Sequence, residues 1–487
     1  MNRFVALLML LFLSVAADAK QPNILLIIAD DWGWPHAGAY GDPVVKTPNF
    51  DRVAKEGMLF EQAFVNVPSC TPCRASLLAG KYHWRLGPAA NLWANFPDDH
   101  TTYPLLLQKA GYETGQNAKA YGPGSPGKRP IAGEKRMAFG EFLAERDKSK
   151  PFCFWQGSSD PHRGYIKGSG ARSGMDISKV EMFPHYPDSD IIRSDVADYY
   201  WEVQRFDRLV GKCLEELEES GLAENTIVLV TGDHNMPFPR CKGNLYDCGI
   251  HVPLAIRWPA KVKAGQKFFD PVSFVDLAPT FLNAAGAPIP KDLNGVSLLP
   301  VLVGKEKQLK LASGKVRDFV FAGRERHCPG QEKPLGLAGY PCRAIRTNDF
   351  LYIRNFAPER WPAGTPNYEK ATKQGAWLAD CDNSPTKTYI WENRDKDDAH
   401  RQAWQLCFGK RPAEELYELK KDKFQMVNVA DNPEYAEVKK KLAAQLEAEL
   451  KASEDPRLKG GDALIEFDTY RYAGGAPKFV GGKKKKK

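Results

Sequence analysis

The chain has no Asn-x-Ser/Thr acceptor anywhere along its 487 residues. That favours an exported bacterial protein over a glycosylated lysosomal one. No run beyond residue 19 is apolar enough for long enough to span a bilayer, so no membrane span is expected after leader removal. Internal repeats are absent, which excludes repeat architectures. Basic stripes are absent too. The net charge of +8 includes five lysines at 483–487, and the body without them carries +3. No nucleic-acid partner is expected, because such binders cluster basic residues within the folded body. No second ligand pair at zinc-site spacing accompanies Cys70 and Cys73.

What is present at the N-terminus reads as an export signal. Arg3 supplies a positive charge, and Phe4 to Ala17 is almost wholly apolar. Ala17-Asp18-Ala19 then offers small residues for cleavage. Residues 1–19 are expected to be a signal peptide, and the mature protein to be secreted or periplasmic. Ten cysteines suit such an oxidising compartment. Cys241 with Cys248, Cys328 with Cys342, and Cys381 with Cys407 are candidate disulfides, although spacing cannot fix connectivity.

With 43% hydrophobic and 26% charged residues, the composition is that of a globular protein with a large core. Pro22 to Asp31, PNILLIIADD, is an apolar run ending in two acids. This pattern predicts a strand buried on both faces that delivers polar groups at its C-terminal end. Thr226 to Val230 repeats it, followed by Thr231-Gly232-Asp233-His234. Phe152 to Trp155 is a third such run, with Asp160-Pro161-His162 close behind. Helical spacing covers Thr47 to Glu56 and Asp195 to Ser220. Strand–helix alternation predicts an α/β domain at 20–340, with a large, doubly wound, mostly parallel sheet. Ligands then bind at the C-terminal strand ends. Beyond residue 340, strand-like runs at Arg343 to Thr347 and Phe350 to Arg354 precede an amphipathic helix at Pro433 to Lys451. They predict a smaller C-terminal α+β domain with an antiparallel sheet at 341–452. Residues 453–487 read as a tail with a disordered, lysine-rich end.

Two groups of residues carry chemistry on their face. Cys70-Thr71-Pro72-Cys73-Arg74 is the sharper. Alone, Cys-x-x-Cys suggests a redox pair or half a zinc site, but neither context is present. Asp30-Asp31 and Asp233-His234 end two predicted strands. One aspartate would serve a helix N-cap. Two separated pairs point instead to an oxygen-rich site for a hard divalent cation.

The Cys70 string, continuing through Leu78-Ala79-Gly80-Lys81, resembles the C-x-P-x-R and L-[TA]-G-[KR] signature of the type I, formylglycine-dependent sulfatase family. That family belongs to the alkaline phosphatase superfamily. Lys242 to Pro253 and Asp160-Pro161-His162 resemble further family motifs, so the resemblance spans most of the chain. Asp160 to Arg163, Met236-Pro237-Phe238-Pro239 and Asn244-Leu245-Tyr246 are most similar to the heparan N-sulfatase (sulfamidase) branch.

The resemblance implies that a maturation enzyme oxidises Cys70 to formylglycine. It implies Asp30, Asp31, Asp233, His234 and the modified residue 70 as ligands of Ca2+, with Mg2+ the alternative. Arg74, Lys119 and Lys242 become sulfate-binding groups, and His162 the general acid. The hydrated aldehyde attacks sulfur with one hydroxyl and expels sulfate through the other, which serine and cysteine lack. One departure stands out. Many relatives have G-K-x-H where this chain has Ala118-Lys119-Ala120-Tyr121. Tyr121 thus replaces a histidine that contacts formylglycine in relatives. Tyr121, His36, Arg163 and Arg324 are candidate substrate contacts. Trp32, Trp34, Trp84, Trp93 and Trp361 are candidates for stacking on sugar rings, with core packing as the plainer role. The implied substrate is a sulfated oligo- or polysaccharide, N-sulfoglucosamine first. Alternatives are an O-sulfatase for another polysaccharide such as an algal glycan, a phosphomonoester or phosphonate hydrolase, and an unmodified glycan-binding relative.

Overall fold

The computed structural model describes residues 21–460, except 333–334, 336–337 and 372–376, together with residue 467. The expected signal peptide and the lysine-rich end lie outside the described residues. In chain order the strands are β1 (Asn23–Ala29), β2 (Met58–Phe60), β3 (Ala63–Phe64), β4 (Glu113–Asn117), β5 (Lys135–Arg136), β6 (Phe152–Gly157) and β7 (Thr226–Gly232). There follow β8 (Leu254–Arg257), β9 (Gln266–Phe268), β10 (Val272–Ser273), β11 (Phe319–Arg324), β12 (Cys342–Thr347), β13 (Phe350–Asn355) and β14 (Glu414–Glu418).

The large sheet runs β5-β4-β6-β1-β7-β8-β2-β9. Every pairing in it is parallel except those of β8 with β7 and β2. All residues of β1, β6 and β7 are buried, as both-face coverage by helices requires. Parallel register places Ile24 beside Cys153 on one side and Ile227 on the other, so three strands end together. From β1 the chain passes first to β2 on one side and later to β4 on the other. Such a reversal opens a crevice at the C-terminal strand ends.

The long helix Asp190–Glu219 carries its apolar residues at helical spacing and buries Tyr199, Val203, Phe206, Val210, Leu214 and Leu217. Ser189 caps it, its hydroxyl accepting from the Ile191 N–H at 3.2 Å. Asp207 on this helix caps another, accepting from the Phe50 N–H at 2.8 Å near the start of Pro48–Glu56. On the other flank, Phe139 and Phe142 pack against Phe152 and Phe154 of β6.

The second sheet is antiparallel, in the order β11-β12-β13-β14. Leu442, Leu446 and Leu450 of the helix Ala436–Ala452 pack on its Phe321, Ile345, Tyr352 and Leu416. Buried ion pairs tie this layer down. Arg343 on β12 donates to Asp455 at 2.6 Å and Glu325 at 2.5 Å, and Arg457 also pairs with Glu325.

None of the candidate disulfides is present in this structure. All ten cysteines are free and buried. Cys241 and Cys248 do meet, with their sulfurs within 4.8 Å of each other as free thiols, whereas chain direction separates Cys328 from Cys342. Cys342 opens β12 opposite Arg324, whereas Cys328 has already left β11 to pack beside Cys70 and Leu92. No helix among the described residues is long and apolar enough to cross a membrane.

Candidate active site

Four adjacent parallel strands deliver polar residues to one edge. Lys119 follows β4, His162 follows β6, Asp30 and Asp31 follow β1, and Asp233 and His234 follow β7. The helix Cys70–Ala79 meets this edge with its N-terminal residue, and all ten of its residues are buried. Close packing holds the strand ends in place. A Cβ added to Gly157 would stand 1.9 Å from the Lys119 carbonyl oxygen, and one on Gly232 2.1 Å from that of Trp32.

Asp31 turns sharply out of β1. Its φ of 73° lies in the left-handed region, a cost accepted by few non-glycine residues. The turn aims its N–H at Asp233 Oδ1, 2.9 Å away. Its carboxylate then meets Lys242 Nζ at 2.9 Å and His234 Nε2 at 3.1 Å. Asp30 is gripped by Lys119 Nζ at 2.6 Å and approached by Arg74 at 3.4 Å. Arg74 Nε also donates to Asp233 Oδ2 at 2.9 Å, and its Nη1 donates to the Lys119 carbonyl at 2.7 Å. Arg74 is wholly buried and sits beneath the cavity floor rather than on its lining. It therefore fixes Asp233 and the Lys119 segment from below.

Charge balance follows from these pairs. Burial alone would raise the Asp30 pKa, but Lys119, Arg74, His162 and Lys242 hold it well below the usual carboxylate range. Burial works against the charge on Lys242, yet Asp31 and Asp382 keep its pKa well above the ordinary lysine value. Burial pushes the Cys70 thiol well up, so the unmodified side chain is a neutral thiol and a poor nucleophile.

The donor set fits a hard divalent cation. Ligand atoms of Asp31, Cys70 and His234, and those of Asp30, Cys70 and Asp233, form two groups, each lying within 4.8 Å. Three buried carboxylates around one point suit Ca2+ or Mg2+ better than a thiophilic ion. The Nδ1 of His234 lies 3.0 Å from the Asn235 carbonyl oxygen. Donation there assigns the proton to Nδ1 and leaves an Nε2 lone pair facing residue 70, 3.3 Å from its sulfur.

A cavity of about 710 Å³ opens above, lined by Asp30, Cys70, Lys119, His162 and Lys242. Of the sequence-predicted residues the structure thus gathers Asp30, Asp31, Cys70, Arg74, Lys119, His162, Asp233, His234 and Lys242 around one point. Three others lie elsewhere. His36 is buried among Phe183, Tyr199 and Tyr200, with Nδ1 3.3 Å from the Tyr199 hydroxyl. Tyr121 points its hydroxyl at the Ala94 carbonyl, 3.1 Å away, and lines a neighbouring cavity. Arg324 is buried and donates to the carbonyls of Gly243 and Pro362. Arg163 reaches the active-site lining, but its guanidinium is held by Asp195 in two bonds of 2.8 and 2.9 Å. Among the tryptophans, Trp93 lines the cavity, whereas Trp32 and Trp84 are fully buried.

The sequence reading missed His327, Cys328 and Asp382 on the lining. Asp382 lies 3.3 Å from Lys242, and His327 Nδ1 lies 2.8 Å from the Ser69 hydroxyl. The one available signal for His327 was its place a few residues past the apolar run Phe319 to Ala322. Asp382 sits in an irregular loop with no such pattern.

A Sulfatase family model matches residues 22–127 and 137–287, more than half of the chain. The chain belongs to the sulfatase family. This sulfatase is 29% identical over 505 residues to the N-sulphoglucosamine sulphohydrolase of Homo sapiens, covering 92% of this chain and 93% of that one. It is 27% identical over 458 residues to an ulvan-active sulfatase of Formosa agariphila, covering 90% of this chain and 82% of the relative. Its fold matches the solved structure of BT4656 in complex with D-glucosamine-2-N,6-O-disulfate at a TM-score of 0.63 and 22% identity, covering 90% and 99% of the two chains. The sulfatase is a sulfuric ester hydrolase.

Proposed function

We propose that this sulfatase removes sulfate from N-sulfoglucosamine units of heparan-type saccharides, with residue 70 as formylglycine. The observation that supports a sulfatase mechanism is the meeting of Lys119, Lys242 and residue 70 on one cavity lining, with Lys119 paired to Asp30 and Lys242 to Asp31. Relatedness to the human N-sulphoglucosamine sulphohydrolase over nearly the full length of both chains supports the N-sulfated substrate. So do the Met236-Pro237-Phe238-Pro239 and Asn244-Leu245-Tyr246 strings.

Asp30, Asp31, Asp233 and His234 would hold a divalent cation, calcium in this reading and magnesium as the alternative, which supplies positive charge beside the nucleophile and the sulfuryl oxygens. The formylglycine, made by a separate maturation enzyme, supplies two hydroxyls on one carbon. The protein's own groups do the rest. Lys119 and Lys242 bind the sulfuryl oxygens and neutralise charge as it redistributes. Arg74 holds Asp233 in place to accept the nucleophile's proton. His162 places its Nδ1 2.9 Å from the Arg163 carbonyl, which leaves Nε2 facing the cavity, 3.9 Å from Asp31. Protonated there, His162 donates to the departing nitrogen or oxygen. Residues 1–19 would direct export to the periplasm or beyond.

An O-sulfated polysaccharide is the second reading, favoured by the ulvan-active relatives of comparable identity. The test is sulfate release by the matured protein with calcium. The panel holds N-sulfoglucosamine, a heparan disaccharide, O-sulfated glucosamine and galactose, and an aryl phosphate. Release from the N-sulfated compounds alone is expected. Release from O-sulfates alone would remove the sulfamidase reading and keep the mechanism. Preference for the phosphate would remove both.

A further inference from the structure

A second cluster of ligating side chains lies away from the carboxylates. His185, Cys241 and Cys248 are buried, and their ligand atoms lie within 4.8 Å of one another. Three parts of the chain meet here. His185 comes from the loop before the long helix, Cys241 immediately precedes Lys242, and Cys248 belongs to the short helix Asp247–Ile250.

His185 is the unusual member. It is 1% exposed, and neither ring nitrogen has a hydrogen-bond partner among the described residues. Its ring stacks on Phe183 with centroids 5.4 Å apart and meets Tyr186 edge-on at 4.2 Å. Native structures rarely strand a buried imidazole in this way. Burial, with Arg240 and Arg411 nearby, pushes its pKa well down, so the ring is neutral and able to ligate.

The two cysteines are free thiols. Cys241 Sγ lies 3.3 Å from the Tyr186 hydroxyl, and Cys248 Sγ 3.5 Å from the Arg240 carbonyl. A disulfide between them would satisfy the sulfurs and still leave both His185 nitrogens stranded. A cation would take both sulfurs and one of the two His185 nitrogens. Two thiolates and an imidazole are the donors preferred by Cu+ and Zn2+, unlike the carboxylates beside residue 70.

We propose that His185, Cys241 and Cys248 form a second metal site, for a thiophilic d10 cation probed as Cu+ or Zn2+. Binding releases the two thiol protons to solvent. The two thiolates neutralise Zn2+, or leave one negative charge with Cu+ near Arg240 and Arg411. Because Cys241 abuts Lys242, the site pins the segment that presents this lysine to the cavity.

The test uses full-length Cys70→Ala protein in excess calcium, which removes the thiol closest to the active-site carboxylates. After exposure to Zn2+, or to Cu+ under reductant, the protein is desalted and its metal counted. The expected result is about one equivalent retained per chain, with both thiols alkylated more slowly than in the metal-free protein. Cys248→Ala and His185→Phe in the same background should lose that equivalent and the accompanying rise in unfolding temperature. Should either variant not fold, metal retention and slowed thiol alkylation in the parent still decide. Failure of the parent to retain either metal would overturn the proposal. So would a Cys241–Cys248 cross-linked peptide lighter by two hydrogens.

Discussion

His36 shows how a residue near a motif can serve the core instead of the cavity. It lies five residues after Asp31, yet its ring is enclosed by three aromatic side chains. Burial pushes its pKa down to about 4, with Asp42 opposing the shift. Burial likewise lowers that of His251 to about 3. Both rings must stay neutral in the folded protein, whereas in the unfolded chain they take a proton near pH 6.5. A depressed histidine contributes stability that is fully present above the unfolded pKa. That stability is lost as pH falls toward the folded value. Unfolding free energy should therefore drop as pH falls from about 6.5 toward 4, by about 1.4 kcal/mol per pH unit for each histidine. Denaturant titrations at several pH values check this. His36→Gln should flatten the slope by about one histidine's share. An unchanged slope would place the acid sensitivity elsewhere.

The same contrast explains what was legible at the residue scale. Asp30, Asp31, Asp233 and His234 could be read because each pair ends an apolar run, and parallel strands bring such ends together. The burial of His36, Tyr121 and Arg324 could not be read, because it depends on packing between distant segments. Arg324, for instance, donates to carbonyls at Gly243 and Pro362. Asp382 reaches the cavity from a loop that no periodicity marks.

At the scale of elements, the site depends on how tightly β4 and β6 fit at their C-terminal ends. Gly157 ends β6 directly against the Lys119 backbone. That same Lys119 carbonyl accepts from Arg74 at 2.7 Å and from Trp155 Nε1 at 3.3 Å. A methyl at position 157 cannot enter without moving the segment that carries Lys119. Gly157→Ala should therefore cost about 100-fold in kcat, as displacements near 1 Å do. Circular dichroism would show the fold retained. Near-normal kcat would mean that Lys119 tolerates displacement or does not contact the sulfuryl group. Sequence displayed these strands well, because β1, β6 and β7 are continuous apolar runs. It displayed the short β2, β5 and β9 poorly, since two or three residues carry no period.

At the scale of the molecule, the antiparallel sheet is fastened by charge as well as by apolar packing. Arg343 is fully buried between Asp455 and Glu325, and Arg457 shares Glu325. The network joins β12 to chain more than a hundred residues later, after the helix Ala436–Ala452. Loss of Arg343 leaves Asp455 buried without its main counter-charge. Arg343→Leu should cost about 3–5 kcal/mol of unfolding free energy, measured by denaturant titration. A cost below about 1 kcal/mol would mean that Asp455 and Glu325 find other partners or water. The layered α/β and α+β architecture was legible in the sequence. The recruitment of β11 into the second sheet was not, since it depends on pairing with β12 across an irregular connection.

The whole account turns on residue 70 as a regenerating nucleophile. The most direct measurement is sulfate released per mole of enzyme, in excess substrate and calcium, for matured wild type, Cys70→Ala and Cys70→Ser. Wild type should release many equivalents, and Cys70→Ala none. Cys70→Ser should stop at or below about one equivalent, because its sulfated adduct lacks the second hydroxyl needed to expel sulfate. Sustained turnover by Cys70→Ser, or activity in Cys70→Ala, would contradict the account.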